Sequence, residues 1–299
     1  MPITLNFAQR KPQALDNIEI YRKTPGNATI DVNAPGTPLA TLPGDATSYE
    51  DNAVENNTTY RYWIAAVKDG ERVFNTPTAQ GFFLDTGPGP QKLLYGDWHA
   101  GYFGTVTPAE LFTNVELNSL VVNMFSSAVG AWHKFIYKNR ILFMSDNSII
   151  YASPQFIYNQ GLMYGQDGNG YVPGWATARN QRRTVTKNGY EYVVRLPYLF
   201  DYKYWTSYVG SGNTELYLDG EWFNTFARLY NYSGQFPRFD DLPVGSIDSV
   251  TAQQSAFFAA MNNTSSQWYN RPPYPESPSW SNYGTTTIRS IAVLELVLP

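Results

Sequence analysis

The sequence contains no cysteine among its 299 residues and only two histidines. The lack of cysteine excludes disulfide frameworks, thiolate zinc sites, thiol nucleophiles and cysteine-ligated iron–sulfur clusters. The two histidines, His99 and His133, are not accompanied by a nucleophile elbow, and two isolated histidines do not make a metal centre. We therefore expect no catalytic residues, no metal and no cofactor.

Charge is also scarce, since charged residues make up 15% of the chain against roughly 25% in an average soluble protein. The 21 basic and 25 acidic side chains give a net charge of −4, which does not suit a phosphate backbone. The basic cluster Arg179, Arg182, Arg183 and Lys187 is interpreted as a solvated flank of a hairpin. We expect no nucleic-acid partner.

Long hydrophobic runs are missing as well. No apolar stretch approaches the roughly 18 residues that cross a bilayer, and residues 1–6 lack the basic and apolar regions of a secretory signal. These features predict a chain that is made and folded in a cytoplasm and does not insert into a membrane.

The sequence is rich in core-forming residues, with 43% hydrophobic and 16% aromatic residues. A chain of 299 residues sits near two units of about 150 residues each. The Pro- and Gly-rich segment Asp85-Thr86-Gly87-Pro88-Gly89-Pro90 opposes both helix and central strand. We therefore predict a domain over residues 1–84, a linker over 85–91 and a second domain over 92–299.

The first domain shows short strands separated by closely spaced turn signals, which is typical of a β-sandwich. Ser48-Tyr49-Glu50-Asp51, a polar turn and the Tyr-rich strand from Tyr60 to Val67 resemble the fibronectin type III module. The resemblance covers residues 10–84 and implies an immunoglobulin-like sandwich. In it, Tyr60 is the corner tyrosine whose hydroxyl ties back to the preceding backbone, and Trp63 or Ile64 fills the core.

The second domain mixes strand and helix signals. Three strands, 132–137, 140–144 and 148–151, are predicted to form a meander, and Asn188-Gly189 predicts a tight hairpin between 184–186 and 190–194. The terminal run 288–298 is too apolar for an exposed edge strand. Helices are predicted after the capping box Thr107-Pro108-Ala109-Glu110, over Pro154–Gln160 with a Gly161 cap, over Glu221–Tyr230 and over Val250–Met261.

An aromatic, Pro- and Ser-rich loop is predicted over residues 268–283. Its large aromatic side chains could stack on sugar rings or seal a subunit interface, because exposed aromatic residues carry much of the energy of both. These candidate contact residues are Trp268, Tyr269, Tyr274, Trp280 and Tyr283.

Other candidates for chemistry have simpler interpretations. Asp97 and His99 would be only two metal ligands, and Asp167-Gly168-Asn169-Gly170 lacks the closing glutamate of a calcium loop. Paired carboxylates for glycoside hydrolysis could come from four acidic residues, whose separation the sequence does not give. They are Glu191, Glu221, Asp240 and Asp241.

A series of segments resembles, in order, a domain found in structural proteins of tailed-bacteriophage virions. The series covers most of residues 94–298. Its segments are Gly96–Val106, Pro108–Leu111, Ala131–Phe135, Ile141–Phe143, Gly161–Gly165, Glu221-Trp222 and Val293–Leu296.

A second resemblance concerns the fold of the same domain. Tyr192-Val193-Val194-Arg195-Leu196-Pro197, followed by Glu221-Trp222, is similar to the C-type-lectin and formylglycine-generating-enzyme fold. Because cysteine is absent, the chemistry of that enzyme family does not carry over. The expected fold class is mostly β with α+β, a sandwich followed by a mixed α+β, C-type-lectin-like domain.

The ordered segments that resemble the virion domain, together with the lack of a catalytic constellation, imply a non-enzymatic structural component of a bacteriophage virion. Such a component would be tail- or neck-associated, present in many symmetric copies, and attached to other virion proteins by protein–protein contacts. The alternatives are a capsid decoration protein, an adhesin that binds a host-surface receptor or glycan through the loop 268–283, and a glycosidase acting on surface polysaccharide.

Overall fold

The computed structural model describes most of the chain, in two compact units. Unit 1 comprises Met1–Thr86 with Asp97–Ala100, and unit 2 comprises Gly87–Gly96 with Gly101–Pro299. For residues 256–262, 267–271 and 279–281 it gives the backbone alone. The described residues are 2–7, 14–172, 174, 176–198, 220–229, 239, 256–262, 267–271, 279–281, 285 and 287–299.

Unit 1 consists of strands in two sheets. One sheet has the order β3-β2-β5-β6, with β7 also paired to β5, and the other pairs β1 with β4. The strands are β1 (Ile3–Asn6), β2 (Asn17–Lys23), β3 (Ala40–Pro43), β4 (Ser48–Asp51), β5 (Thr58–Lys68), β6 (Glu71–Phe74) and β7 (Thr78–Phe82).

The two sheets of unit 1 pack face to face. Ile3 and Leu5 of β1 form one buried cluster with Ile18 and Ile20 of β2 and with Tyr62 of β5. Successive residues of a strand point to opposite faces of the sheet. The residues next to these in β2 and β5 therefore face the other side of the larger sheet. There, a second cluster forms from Tyr21, Trp63 and Ala65, and unit 1 is thus a two-layer β-structure.

Unit 2 is built on a seven-stranded sheet with the order β13-β14-β19-β11-β10-β9-β8. A second pairing joins β12 to β18, and β15, β16 and β17 form a separate three-stranded antiparallel sheet. The strands are β8 (Tyr95–Gly96), β9 (Ala100–Val106), β10 (Trp132–Tyr137), β11 (Arg140–Ser145), β12 (Ile150–Ala152), β13 (Arg183–Lys187), β14 (Tyr190–Arg195), β15 (Ala256–Asn262), β16 (Gln267–Arg271), β17 (Ser279–Ser281), β18 (Ile288–Ser290) and β19 (Val293–Leu296).

The two hairpin predictions in unit 2 are confirmed. β10 and β11 pair across Lys138 and Asn139, which both adopt positive φ. β13 and β14 pair across Asn188 and Gly189, with φ values of 54° and 84°, as a type I′ turn requires. The prediction for the terminal run is confirmed for β19, which pairs with both β11 and β14. The run also contains a separate strand, β18, which pairs with β12.

The helices of unit 2 are short. They are α1 (Asn114–Leu120), α2 (Pro154–Asn159), α3 (Glu221–Asn224) and a 3-10 turn over Phe226–Leu229. The α2 prediction is confirmed, with Ser153 capping its start and Gly161 at φ 75° after its end. In the described part of the chain, no helix has both the length and the apolar character needed to cross a membrane.

Two helix predictions are wrong in part. Thr107 and Glu110 make capping-box hydrogen bonds, but only a turn follows, and the helix begins after the second box, Thr113 with Glu116. The segment predicted as one helix over Glu221–Tyr230 is split at Thr225 into α3 and the 3-10 turn, and Tyr230 lies outside the described residues.

Three further predictions are corrected by the strand pairing. The third strand of the meander, β12, pairs with β18 instead of β11. The segment predicted as a helix over Val250–Met261 contains the strand β15, and residues 250–255 are outside the described part. The predicted loop 268–283 contains most of β16 and all of β17.

Candidate functional site

A buried ion-pair cluster lies at the end of β14 and involves four charged side chains: Arg140, Arg195, Glu221 and Glu295. Arg195 is fully buried, with 0% of its side chain exposed. It is the last residue of β14, Glu221 is the first residue of α3, Glu295 lies in the inner strand β19, and Arg140 is the first residue of β11. The cluster therefore joins four elements that are far apart in sequence.

All five N–H groups of Arg195 have acceptors. Nε and Nη2 donate to Glu295 Oε2 at 2.9 and 2.7 Å. Nη1 and Nη2 donate to the two oxygens of Glu221 at 2.9 and 2.7 Å, and Nη1 also donates to the Leu196 carbonyl at 3.0 Å. Because a guanidinium has five donors, Arg195 has none left for a ligand.

The surroundings of Arg195 complete its desolvation. The Tyr198 ring lies 3.6 Å from its guanidinium carbon, and the Tyr198 hydroxyl donates to the Tyr164 carbonyl. Burial raises the pKa of Tyr198. Burial also opposes the charge of Glu295, but Arg195 and Arg140 together hold the pKa of Glu295 below its ordinary value.

Gly165 leaves the space that Arg195 occupies. It adopts φ 65°, and a Cβ atom built at this position would lie 2.4 Å from Cδ of Arg195. Any other residue here would therefore meet both a conformational penalty and a clash with the buried side chain.

Arg140 forms the outer edge of the cluster. Its Nη1 lies 3.3 Å from Glu221 Oε2 and 3.7 Å from Glu295 Oε2, and 23% of its side chain is exposed. It borders a cleft of about 270 Å³. The cleft is lined by Asn139, Arg140, Gly165, Arg182, Val193, Glu295, Leu296, Val297 and Leu298.

His133 lies in an aromatic environment instead of a catalytic one. It is 6% exposed, its Nδ1 is 3.0 Å from the Tyr102 hydroxyl, and the ring of Phe226 meets it edge-on. Burial lowers its pKa from 6.5 to about 4. His133 is therefore neutral at neutral pH and contributes to the core.

A buried lysine holds the Pro- and Gly-rich segment that the sequence marks as a linker. Lys134 has 0% exposure, and its Nζ donates to the carbonyls of Gly87, Pro88 and Pro90 at 3.2, 3.0 and 2.7 Å. Its ammonium also lies 5.0 Å from the centre of the Phe103 ring. Residues 87–90 are thus fixed within unit 2.

The aromatic contact residues predicted from sequence are only partly within the described residues. Trp268 and Tyr269 belong to β16 and Trp280 belongs to β17. The register places Tyr269 directly opposite Trp280. Tyr274 and Tyr283 lie outside the described residues.

The candidate carboxylates do not form a pair across a groove in the described residues. Glu221 is 1% exposed and bound to Arg195, Glu191 lies in β14, and Asp240 and Asp241 lie outside the described part.

The metal candidates have backbone partners. Asp97 Oδ1 accepts from the backbone N–H groups of His99 and Ala100, as in an Asx turn. Asn169 accepts from Tyr158 through its carbonyl, and Gly168 and Gly170 adopt positive φ. Within the described ranges, no three His, Asp or Glu side chains are grouped to hold a metal ion.

Arg140, Arg182 and Arg195 were not predicted to lie at a site. The sequence does carry a signal for Arg195, because it is a charged residue within the apolar segment Tyr192–Pro197 and a charge in such a segment requires a buried partner. Arg140 follows a turn and Arg182 precedes a hairpin, so neither shows a local pattern that distinguishes it from a solvated side chain.

The comparisons with known proteins do not assign the chain to a family. No protein-family model matches it, and neither curated proteins nor solved structures give a match.

Proposed function

We propose that the chain is a non-enzymatic structural component of a tailed-bacteriophage virion, associated with the tail or neck and present in many copies. It would be attached by contacts with other virion proteins and by self-association in a symmetric assembly. The proposal rests on the ordered sequence segments that resemble a virion domain and on the way three of them meet in the structure.

The observation that carries the proposal is the convergence of these segments on Arg195. Gly165 ends one segment, Glu221 begins the next and Glu295 lies in the last. The first leaves space for Arg195 and the other two neutralise it. Charged side chains whose hydrogen-bonding groups are all paired with one another stabilise the fold. They are not suited to catalysis, because a catalytic group needs a face open to substrate.

The second resemblance in unit 2 gains support from the same contacts. The Arg-Leu-Pro strand contributes Arg195 and the Glu-Trp helix contributes Glu221, and the two side chains form a bidentate pair. The two halves of that sequence pattern are therefore joined directly. We propose a C-type-lectin-like fold for unit 2 on this basis, without any enzymatic activity.

A fibronectin type III-like module is proposed for unit 1. The Tyr60 hydroxyl accepts a hydrogen bond of 2.8 Å from the backbone N–H of Glu55, five residues upstream, as a corner tyrosine does. Trp63 is 5% exposed and packs with Tyr21, while Ile64 packs on the cluster between the two sheets.

The test is the composition and structure of purified particles from the phage that encodes this chain. We expect the chain to copurify with the particles in a fixed ratio to the major capsid protein, and density for both units at the tail or neck. Density on the capsid faces would favour the alternative of a decoration protein. Particles that lack the chain would refute the proposal.

An adhesin that binds a host-surface glycan is the second candidate. The supporting observation is that Tyr269 and Trp280 are opposed in β16 and β17, and opposed positions of an antiparallel pair share a sheet face. We expect the virion carrying Trp280→Ala to adsorb to host cells more slowly than the virion carrying Trp222→Phe in the core. Equal adsorption of these two virions would exclude the role.

A further inference from the structure

We propose that the cleft beside the ion-pair cluster binds the carboxylate of a ring-sized organic acid, specifically a sugar acid such as a hexuronate. All the described lining residues of the cleft lie in unit 2, and none of them belongs to β16 or β17. The proposal does not depend on the virion role.

The charge around the cleft favours an anion. Among the described side chains that line the cleft or pair with its lining, there are three arginines and two glutamates: Arg140, Arg182, Arg195, Glu221 and Glu295. The donors of Arg195 are all bonded to the two glutamates and to a backbone carbonyl. The remaining positive charge belongs to the two arginines that line the cleft.

Both lining arginines have donors to spare. Arg140 approaches the glutamates only through Nη1, at 3.3 and 3.7 Å. Among the described residues, none accepts a hydrogen bond from its Nε or Nη2. Arg182 is exposed. Its backbone N–H donates to Asn180 Oδ1 at 2.7 Å, and its guanidinium has no hydrogen-bond acceptor in the described part of the chain. Two planar guanidinium groups suit a planar carboxylate, which each can bind through two parallel bonds.

The rest of the lining suits the ring of a sugar. Val193, Leu296, Val297 and Leu298 supply apolar surface for the C–H face of a ring. Arg195 bonds only to Oε2 of Glu295, so Oε1 is placed to accept from a sugar hydroxyl. The volume of about 270 Å³ is close to the lower end of small-molecule sites, roughly 300 Å³.

The apolar part of the lining selects between anions. Inorganic phosphate has no C–H face to place against Val193, Leu296 and Leu298, so it forgoes the apolar contact that a sugar ring makes there. A sugar without an acidic group would leave the guanidinium donors without an anionic partner. The cleft is therefore expected to prefer glucuronate to both inorganic phosphate and glucose.

The test is a titration of the full chain, followed by NMR or calorimetry, with glucuronate, glucose and inorganic phosphate as separate probes. We expect saturable binding of glucuronate, and binding of glucose and phosphate at least about tenfold weaker. Arg182→Gln should weaken glucuronate binding about tenfold, as loss of one charge-assisted hydrogen bond does.

Arg183→Gln is the matched control, because Arg183 is the next residue and equally exposed but does not line the cleft. This variant should bind glucuronate as the wild type does. Absence of saturable glucuronate binding would overturn the proposal. So would equal affinity for phosphate, or equal effects of the two arginine substitutions.

Discussion

Arg195 and Glu221 face each other as a bidentate pair, with Nη1 2.9 Å from Oε1 and Nη2 2.7 Å from Oε2. Neither side chain is more than 1% exposed. The pair connects the end of β14 to the start of α3, and Glu295 extends this connection to the inner strand β19. The packing of these three elements of unit 2 therefore depends on a buried ion pair, although the residues before and after Arg195 are apolar.

Removal of one member of this pair should destabilise unit 2 strongly. Arg195→Met removes the main partner of the buried Glu221 and the half-buried Glu295, and an uncompensated buried charge costs about 3–5 kcal/mol. Urea denaturation followed by tryptophan fluorescence measures the change. Lys187→Met is the control, since it removes a partly exposed pair with Glu116 that contributes less than about 1 kcal/mol.

Gly165 should be required for the placement of Arg195. Gly165→Ala introduces a Cβ atom 2.4 Å from Arg195 Cδ, whereas a Cβ atom at Gly168 meets no atom within 4 Å. The φ of Gly168, 94°, is less favourable for alanine than the 65° of Gly165, so a greater loss of stability in Gly165→Ala is due to the clash. We expect Gly165→Ala to be less stable than Gly168→Ala by about 1–3 kcal/mol, and equal denaturation midpoints would contradict this.

The Tyr60 hydroxyl should stabilise unit 1. Tyr60→Phe removes the acceptor of the Glu55 N–H and should cost about 1–2 kcal/mol. Tyr49→Phe is a matched control in the same unit, because the Tyr49 hydroxyl has no hydrogen-bond partner among the described residues. Thermal denaturation of the two variants compares them, and a loss of the same size in both would show that the contact with Glu55 is not the cause.

His133 should make the protein less stable as the pH falls. The unfolded chain takes up the proton near pH 6.5, but the folded chain does so only near pH 4, so the contribution is complete above pH 6.5 and is lost between pH 6.5 and pH 4. The full loss corresponds to about 3 kcal/mol. Denaturation midpoints measured across this range should fall less steeply in His133→Gln than in the wild type.

His99→Gln provides the comparison for this pH dependence, because His99 is the only other histidine in the sequence. We expect His133→Gln to flatten the slope more than this variant does. A wild-type slope in His133→Gln would show that another group titrates in this range.

The sequence predicts local structure best where a short motif determines the backbone. Asn188-Gly189 supplies the positive φ angles of its turn, and the hairpin follows. In contrast, two Thr-x-x-Glu boxes occur six residues apart and both make their hydrogen bonds, yet a helix follows only the second. Leu111 and Phe112, which come directly after the first box, are buried, and this burial competes with the local helix signal.

Other features depend on partners that are distant in sequence. The apolar run Ala256–Met261 is too short for the spacing of its hydrophobic residues to distinguish a strand from a helix. It forms a strand in the structure because it pairs with β16. Arg195 and Glu295 are 100 residues apart, and no local pattern gives that contact. The resemblance identified the segments that meet at Arg195 but not the ion pairs that join them.

The central proposal is that the chain is a structural part of a tailed-phage particle, and the most direct test is a cryo-EM map of the particle proposed to contain it. We predict density at the tail or neck into which unit 1 and unit 2 each fit, repeated with the symmetry of that part of the particle. A well-resolved map with every tail, neck and capsid density assigned to other chains would contradict the claim.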